Sequence, residues 1–181
     1  PLMTLSNDDP AEEVRISAVL ALGKLGVLAE SGKLLSRDGE RIKGALLSLL
    51  EDKRGSIEIR RRALEAVACF NTPRVRELIR WAYSSPELKL RISALYAMGR
   101  TGDPAWLSTL IKEMSSMETA MRYEAASACG EMGEEEAVPY LIPLIDDEDF
   151  AWASAHRWHA SGYKARYVAS NSREEPTIYL H

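Results

Sequence analysis

The sequence predicts an all-α solenoid of short, stacked helical hairpins, and three observations predict it. One segment pattern recurs four times along the 181 residues. The second, third and fourth copies follow an apolar stretch with helical spacing, so the repeating unit reads as two helices. The composition agrees, with only two Phe among abundant Ala and Leu, a balance that suits helices better than a β-sandwich. Hydrophobic residues make up 46% and charged residues 28%, the proportions of a globular chain long enough for one continuous core.

The recurring segments are VRISAVLALGKLG (14–26), IRRRALEAVACFN (59–71), LRISALYAMGRTG (90–102) and MRYEAASACGEMG (121–133). They align on Arg15, Arg60, Arg91 and Arg122, and three residues later on Ala18, Ala63, Ala94 and Ala125. The intervals between the arginines are 45, 31 and 31 residues, so the first is one unit of 31 with 14 residues added. Glycine stands eight and eleven residues after the arginine in three copies; the second copy has Ala68 and Asn71 there.

Helix A is expected in 42–50, 75–83 and 106–114, ahead of the second, third and fourth segments, and in 138–145, which opens an incomplete further unit. Val75, Leu78, Ile79 and Ala82 show the spacing, and Pro73 and Pro104 mark two helix starts. The segment itself is helix B. Such a pair is too short to bury an apolar face alone, so neighbouring units must supply the core. Four columns of the B helices stay apolar: Val14, Ile59, Leu90, Met121; then Ala18, Ala63, Ala94, Ala125; then Val19, Leu64, Leu95, Ala126; then Leu22, Val67, Met98, Cys129. They form the expected buried stripe, and the constant Ala implies close approach of two helix backbones.

The pattern DPAEEVRISAVLALGKLG (9–26), and more loosely SPELKLRISALYAMGRTG (85–102), resembles the HEAT-repeat superfamily in the short form of phycobilisome-lyase-type repeats. The resemblance covers about residues 8–150 and implies a right-handed α-α superhelix of about four to five hairpins, its B helices lining the concave side. The units lie near 8–26, 42–71, 75–102 and 106–133, with an incomplete unit from 138. Residues 27–41 lengthen a helix or add a turn. Residues 151–181 lack the pattern of a closing B helix and form an irregular C-terminal segment, read as a cap, a disordered tail or an altered end. An open end at 138–145 would invite self-association or a partner.

Three functional branches of the superfamily can be set against these residues. Bilin lyases act on tetrapyrroles, and no Cys or His is placed for that chemistry in the repeats. Hydroxylases of the deoxyhypusine type carry His-Glu pairs that bind two irons, and this chain has no His-Glu dipeptide. Alkylpurine DNA glycosylases use a basic face, against which the net charge of -4 argues.

Chemistry is otherwise sparse. His156 and His159 have ligand-like spacing, but a transition-metal site usually needs three or four ligands. The runs Glu134–Glu136 and Asp146–Asp149 read as solvated charge. No metal or cofactor is therefore expected. Cys69 and Cys129 lie within apolar helical segments as small packing residues. No run approaches the ~20 apolar residues of a membrane span, and no signal peptide is visible, so the expected location is cytoplasmic. The repeated arginines are expected to bridge to carbonyls or carboxylates of an adjacent unit.

The variable columns are the functional hint. One, five and nine residues after the arginine stand Ile16, Leu20 and Lys24; Arg61, Glu65 and Cys69; Ile92, Tyr96 and Arg100; and Tyr123, Ser127 and Glu131. The face they share reads either as ordinary surface or as a protein-recognition stripe. Its candidate contacts are Ile16, Leu20, Arg61, Glu65, Ile92, Tyr96, Arg100 and Tyr123, with aromatics and Arg as anchors. The leading expectation is a scaffold or adaptor that binds a protein rather than nucleic acid or membrane; the alternative is a lyase or accessory subunit acting on a bilin-bearing protein.

Overall fold

A computed structural model describes residues 1–144, 157–161, 166–170 and 178–179. It divides into two compact units, Pro1–Thr101 and Gly102–His181.

The first unit holds three helical hairpins: α1 (Leu2–Asp8) with α2 (Glu12–Glu30), α3 (Ser36–Glu51) with α4 (Ile57–Val67), and α5 (Pro73–Tyr83) with α6 (Leu88–Thr101). The B helices pack in a row, α2 against α4 and α4 against α6. Val19, Leu22, Leu64, Val67, Leu95 and Met98 fill the space between them, each at most 1% exposed. The central alanines Ala18, Ala63 and Ala94 are buried as expected, whereas Val14, expected in the buried stripe, is 39% exposed. Thr72 caps α5 by accepting from Val75 N–H at 3.3 Å, with Pro73 in the first turn. The added residues lengthen both flanking helices: α2 runs on to Glu30, the chain turns at Gly32, and α3 begins at Ser36.

Helix α1 is the A helix of the first hairpin and was not foreseen. At seven residues it is too short to persist alone, so packing on α2 sustains it.

The second unit holds a 3₁₀ turn (Pro104–Trp106), α7 (Leu107–Glu113), α8 (Thr119–Met132), α9 (Val138–Leu141) and a 3₁₀ turn (Ile142–Leu144). Trp106, Leu110, Met121, Ala125 and Cys129 are buried, while Ala126 is only partly covered. Three short strands follow, β1 (Arg157–Ser161), β2 (Arg166–Ser170) and β3 (Ile178–Tyr179), paired antiparallel in that order. His156 and His181 lie outside the described residues, as do 145–155, which include the last residue of the expected fifth A helix.

The shared arginines correct one expectation: they close their own hairpin instead of bridging to the next. Arg15 donates to the Asp9 carbonyl at 2.7 Å. Arg91 donates to the Ser85 and Pro86 carbonyls at 3.2 and 3.3 Å. Arg122 donates to those of Ser116 and Met117 at 2.8 and 3.1 Å. The residue six before the arginine has a second role, because its side chain accepts the N–H two residues on: Asp9 from Ala11, Ser85 from Glu87, Ser116 from Glu118. These turns thus have their donors met by a side chain and their carbonyls met by a guanidinium. Arg60 departs from the pattern and donates through Nε to the Leu50 carbonyl at 3.2 Å.

In the last three copies the helix ends at the eleventh position, whereas Gly26 of the first lies inside α2. Gly102 and Gly133 leave their helices at φ 60° and 70°, the left-handed conformation in which glycine has no Cβ to clash. Asn71 takes the same role at φ 35°. It is held by donating to the Thr101 carbonyl and accepting from Arg76, both at 3.3 Å.

Candidate functional site

Within the first unit the variable columns separate into a closed centre and two open flanks. Arg61 and Glu65 on α4 belong to a shared network. Arg61 donates to Glu58 at 2.8 Å, to Glu65 at 2.9 Å and to Ser93 at 3.3 Å; Arg62 donates to Glu65 at 2.9 Å and to Glu58 at 3.2 Å. Ser93 of α6, fully buried, donates to Glu65 at 2.6 Å. The Arg61 and Glu65 side chains are only 19% and 12% exposed. Hydrogen bonding from Arg61 holds the Glu58 carboxyl below its ordinary range, with both arginine charges adding to the effect against partial burial. This corrects the expectation of an exposed stripe at these two residues: they bolt α4 to α6. Ser93 was overlooked, although a Ser inside an otherwise apolar stripe is the available signal for a buried hydrogen-bonded group.

On either side of this network stand apolar groups. Leu20 on α2 is 41% exposed and Ile16 half-buried; on α6, Tyr96 is 36% exposed, Ile92 half-buried and Arg100 exposed. In the second unit Tyr123 on α8 is 73% exposed. Of the two cysteines, Cys69 is half-buried and Cys129 buried. Burial pushes both thiols up to about 11, with Glu30 adding to the shift at Cys69.

Trp81, which sequence reasoning did not single out, is 43% exposed on α5. Its signal was present, for it falls off the apolar stripe of Val75, Leu78, Ile79 and Ala82. The Arg60 guanidinium lies 5.0 Å from its ring centre.

Residues 121–147, spanning α8 and the start of the next pair, match the family of PBS lyase HEAT-like repeats. The repeats are HEAT-like. A deoxyhypusine hydroxylase of Aspergillus fumigatus is 31% identical over 94 residues, 48% of this chain and 28% of that protein. The chain thus spans well under a third of that relative's length. The crystal structure of an engineered protein aligns with 85% of this chain and 75% of its own at 17% identity and a TM-score of 0.48.

The HEAT-like likeness raises the question of paired irons, and the residues present do not fit them. The only histidines are 156, 159 and 181, outside the repeats, and no His-Glu dipeptide occurs. Among the described residues no three His, Cys, Asp or Glu side chains are grouped to hold a metal ion. No helix among them is long and apolar enough to cross a membrane.

Proposed function

We propose that this chain is an adaptor whose HEAT-like B helices bind a protein partner on their variable face, in the cytoplasm. One observation carries the reading: large apolar side chains stand exposed on the variable columns of the B helices. Leu20 and Tyr96 lie five residues after the shared arginine and Tyr123 one residue after. Exposed aromatics beside polar groups are the usual anchors of protein recognition. Arg61 and Glu65 serve this role indirectly, by fixing the spacing of α4 and α6 beneath the contact residues.

The test places a photo-crosslinking amino acid at Tyr96, at Tyr123, or at Arg37, whose side chain is 78% exposed on α3. The adaptor reading expects the same defined protein crosslinked from the first two positions and not from Arg37. With that protein purified, Tyr96→Ala with Tyr123→Ala should weaken binding at least about tenfold, the scale of anchor residues, with helicity unchanged. Equal crosslinking from all three positions would overturn the reading.

An enzymatic reading draws support from the stretch shared with the hydroxylase and from the name of the matched repeat family. The sequence has no His-Glu pair, and the form this reading takes here is a lyase or accessory subunit for a bilin-bearing protein. A covalent, red-shifted bilin adduct on an acceptor protein, formed only with this chain present, would establish it.

A further inference from the structure

A groove of about 390 Å³ opens in the first unit where α3, α4 and α5 meet, within the range of small ligand or side-chain pockets. It coincides with the one hairpin in which the arginine clamp is displaced, since Arg60 reaches the Leu50 carbonyl at the end of α3. That reach brings its guanidinium over Trp81. At the rim, Arg74 binds Glu51 at 2.7 Å and Glu77 at 3.0 Å, so both carboxylates are engaged, and with Arg60 and Lys53 the charged lining holds three cations against two carboxylates.

Two cationic groups at the groove are left over. Among the described residues, the terminal nitrogens of Arg60 and the ammonium of Lys53 have no hydrogen-bond or ion-pair partner. Beside them, Trp81 supplies an exposed apolar wall with Leu78 beneath it. The surroundings carry the same sign: residues 1–101 hold 17 Lys and Arg against 13 Asp and Glu, a net of +4 that steers anions toward this unit despite the chain's overall charge.

We propose that this groove binds an acidic peptide segment, taking a carboxylate onto Arg60 and Lys53 and the neighbouring aliphatic side chain onto Trp81. The ring contact and the bond to the Leu50 carbonyl hold the guanidinium at the groove before the ligand arrives. Carboxylate recognition by such a fork is directional as well as attractive. The site is separate from the B-helix face and gives a second point of attachment for a partner with an acidic tail or loop.

The experiment titrates the full chain with acetyl-Glu-Asp-Leu-Glu-amide and follows the Trp81 indole resonance, identified by its loss in Trp81→Phe. Saturable shifts are expected, with affinity falling several-fold as salt is raised. The Gln-Asn-Leu-Gln peptide should bind about tenfold more weakly or worse, as for loss of a charged contact. Lys53→Glu, at an exposed residue with no bonds to lose, should cost about tenfold as well. Trp81→Ala should abolish the preference for Leu over Ala in the peptide. Three results would each overturn the proposal: no indole shift at millimolar peptide, equal binding of the neutral peptide, or unchanged affinity in folded Lys53→Glu. Self-association that Lys53→Glu removes, without peptide binding, would assign the groove to a second copy and overturn it too.

Discussion

Gly23 and Gly44 both lie inside helices, in α2 and α3, yet replacing each by alanine is expected to change stability in opposite directions. Alanine gains about 1 kcal/mol over glycine from helix propensity alone. At Gly44 nothing lies within 4 Å of the new methyl group, so that gain is realised in full. For a chain of this size it corresponds to a rise of ~2–4 °C in Tm. At Gly23 the new Cβ would sit 2.9 Å from the Ala66 Cβ and 3.2 Å from the Ala66 Cα. Carbon atoms in good contact stand ~3.5–4.0 Å apart, so α4 must retreat by roughly half an ångström or more. Neither Ala66 atom can swing aside as a long side chain would. Overpacking of this kind costs ~1–3 kcal/mol, which exceeds the propensity gain. The expected net effect of Gly23→Ala is a loss of up to about 2 kcal/mol. Urea denaturation followed by far-UV circular dichroism measures both variants. Adding Ala66→Gly to Gly23→Ala should recover about 1 kcal/mol relative to the sum of the single changes. If Gly23→Ala stabilises as much as Gly44→Ala, or shows no coupling to position 66, the close approach of α2 and α4 is wrong.

Three further expectations follow from the hydrogen bonds. Arg91→Met keeps the apolar stem but removes the donor to two turn carbonyls, and denaturation should show a loss of ~1–2 kcal/mol, less than for fully buried groups. Asn71→Gly should be nearly neutral, since relief at φ 35° offsets two lost side-chain bonds, whereas Asn71→Ala should cost ~1–3 kcal/mol; equal midpoints for both variants would contradict the left-handed cap. Glu58 has a lowered folded-state pKa, so its contribution to stability is present above the unfolded carboxylate value of about 4.3 and is lost as pH falls through the folded value. Denaturation midpoints should therefore decline below about pH 4 in the parent chain and less steeply in Glu58→Gln.

Much of the fold was legible because a repeat restates its own rules. The buried columns, the second and third hairpins and the glycine ends were each visible in several copies. What escaped had no copies to compare. Helix α1 is a single short segment whose helicity depends on contact with α2, and LMTLSND carries no periodic stripe long enough to reveal it. The destination of the arginines escaped for another reason. Position in an array shows that a residue recurs but not whether its partner lies six residues back or one unit away. The candidate stripe was legible as a face but not in its pairing: Glu58, Arg61, Arg62 and Glu65 look like surface charge until α6 brings buried Ser93 against them.

The second hairpin of the first unit shows how these limits bear on function. Its departures from the pattern, Asn71 for glycine and Arg60 turned toward Leu50, look like decay when the copies are aligned. In the fold each has a compensating contact: Asn71 holds Thr101 and Arg76, and Arg60 lies over Trp81. An array of equivalent hairpins offers equivalent surfaces, so discrimination between partners must come from positions where one hairpin differs from its neighbours. Here those positions are concentrated on α4 and the elements it touches. The Arg61–Glu65 network closes one side of α4 to solvent and leaves Leu20 and Tyr96 on its flanks, while Arg60 and Trp81 border the groove on the other. The least regular hairpin of the array therefore carries the strongest chemical individuality, and on the adaptor reading proposed above substitutions there should alter partner choice more than those in the regular turns of Arg91 and Arg122.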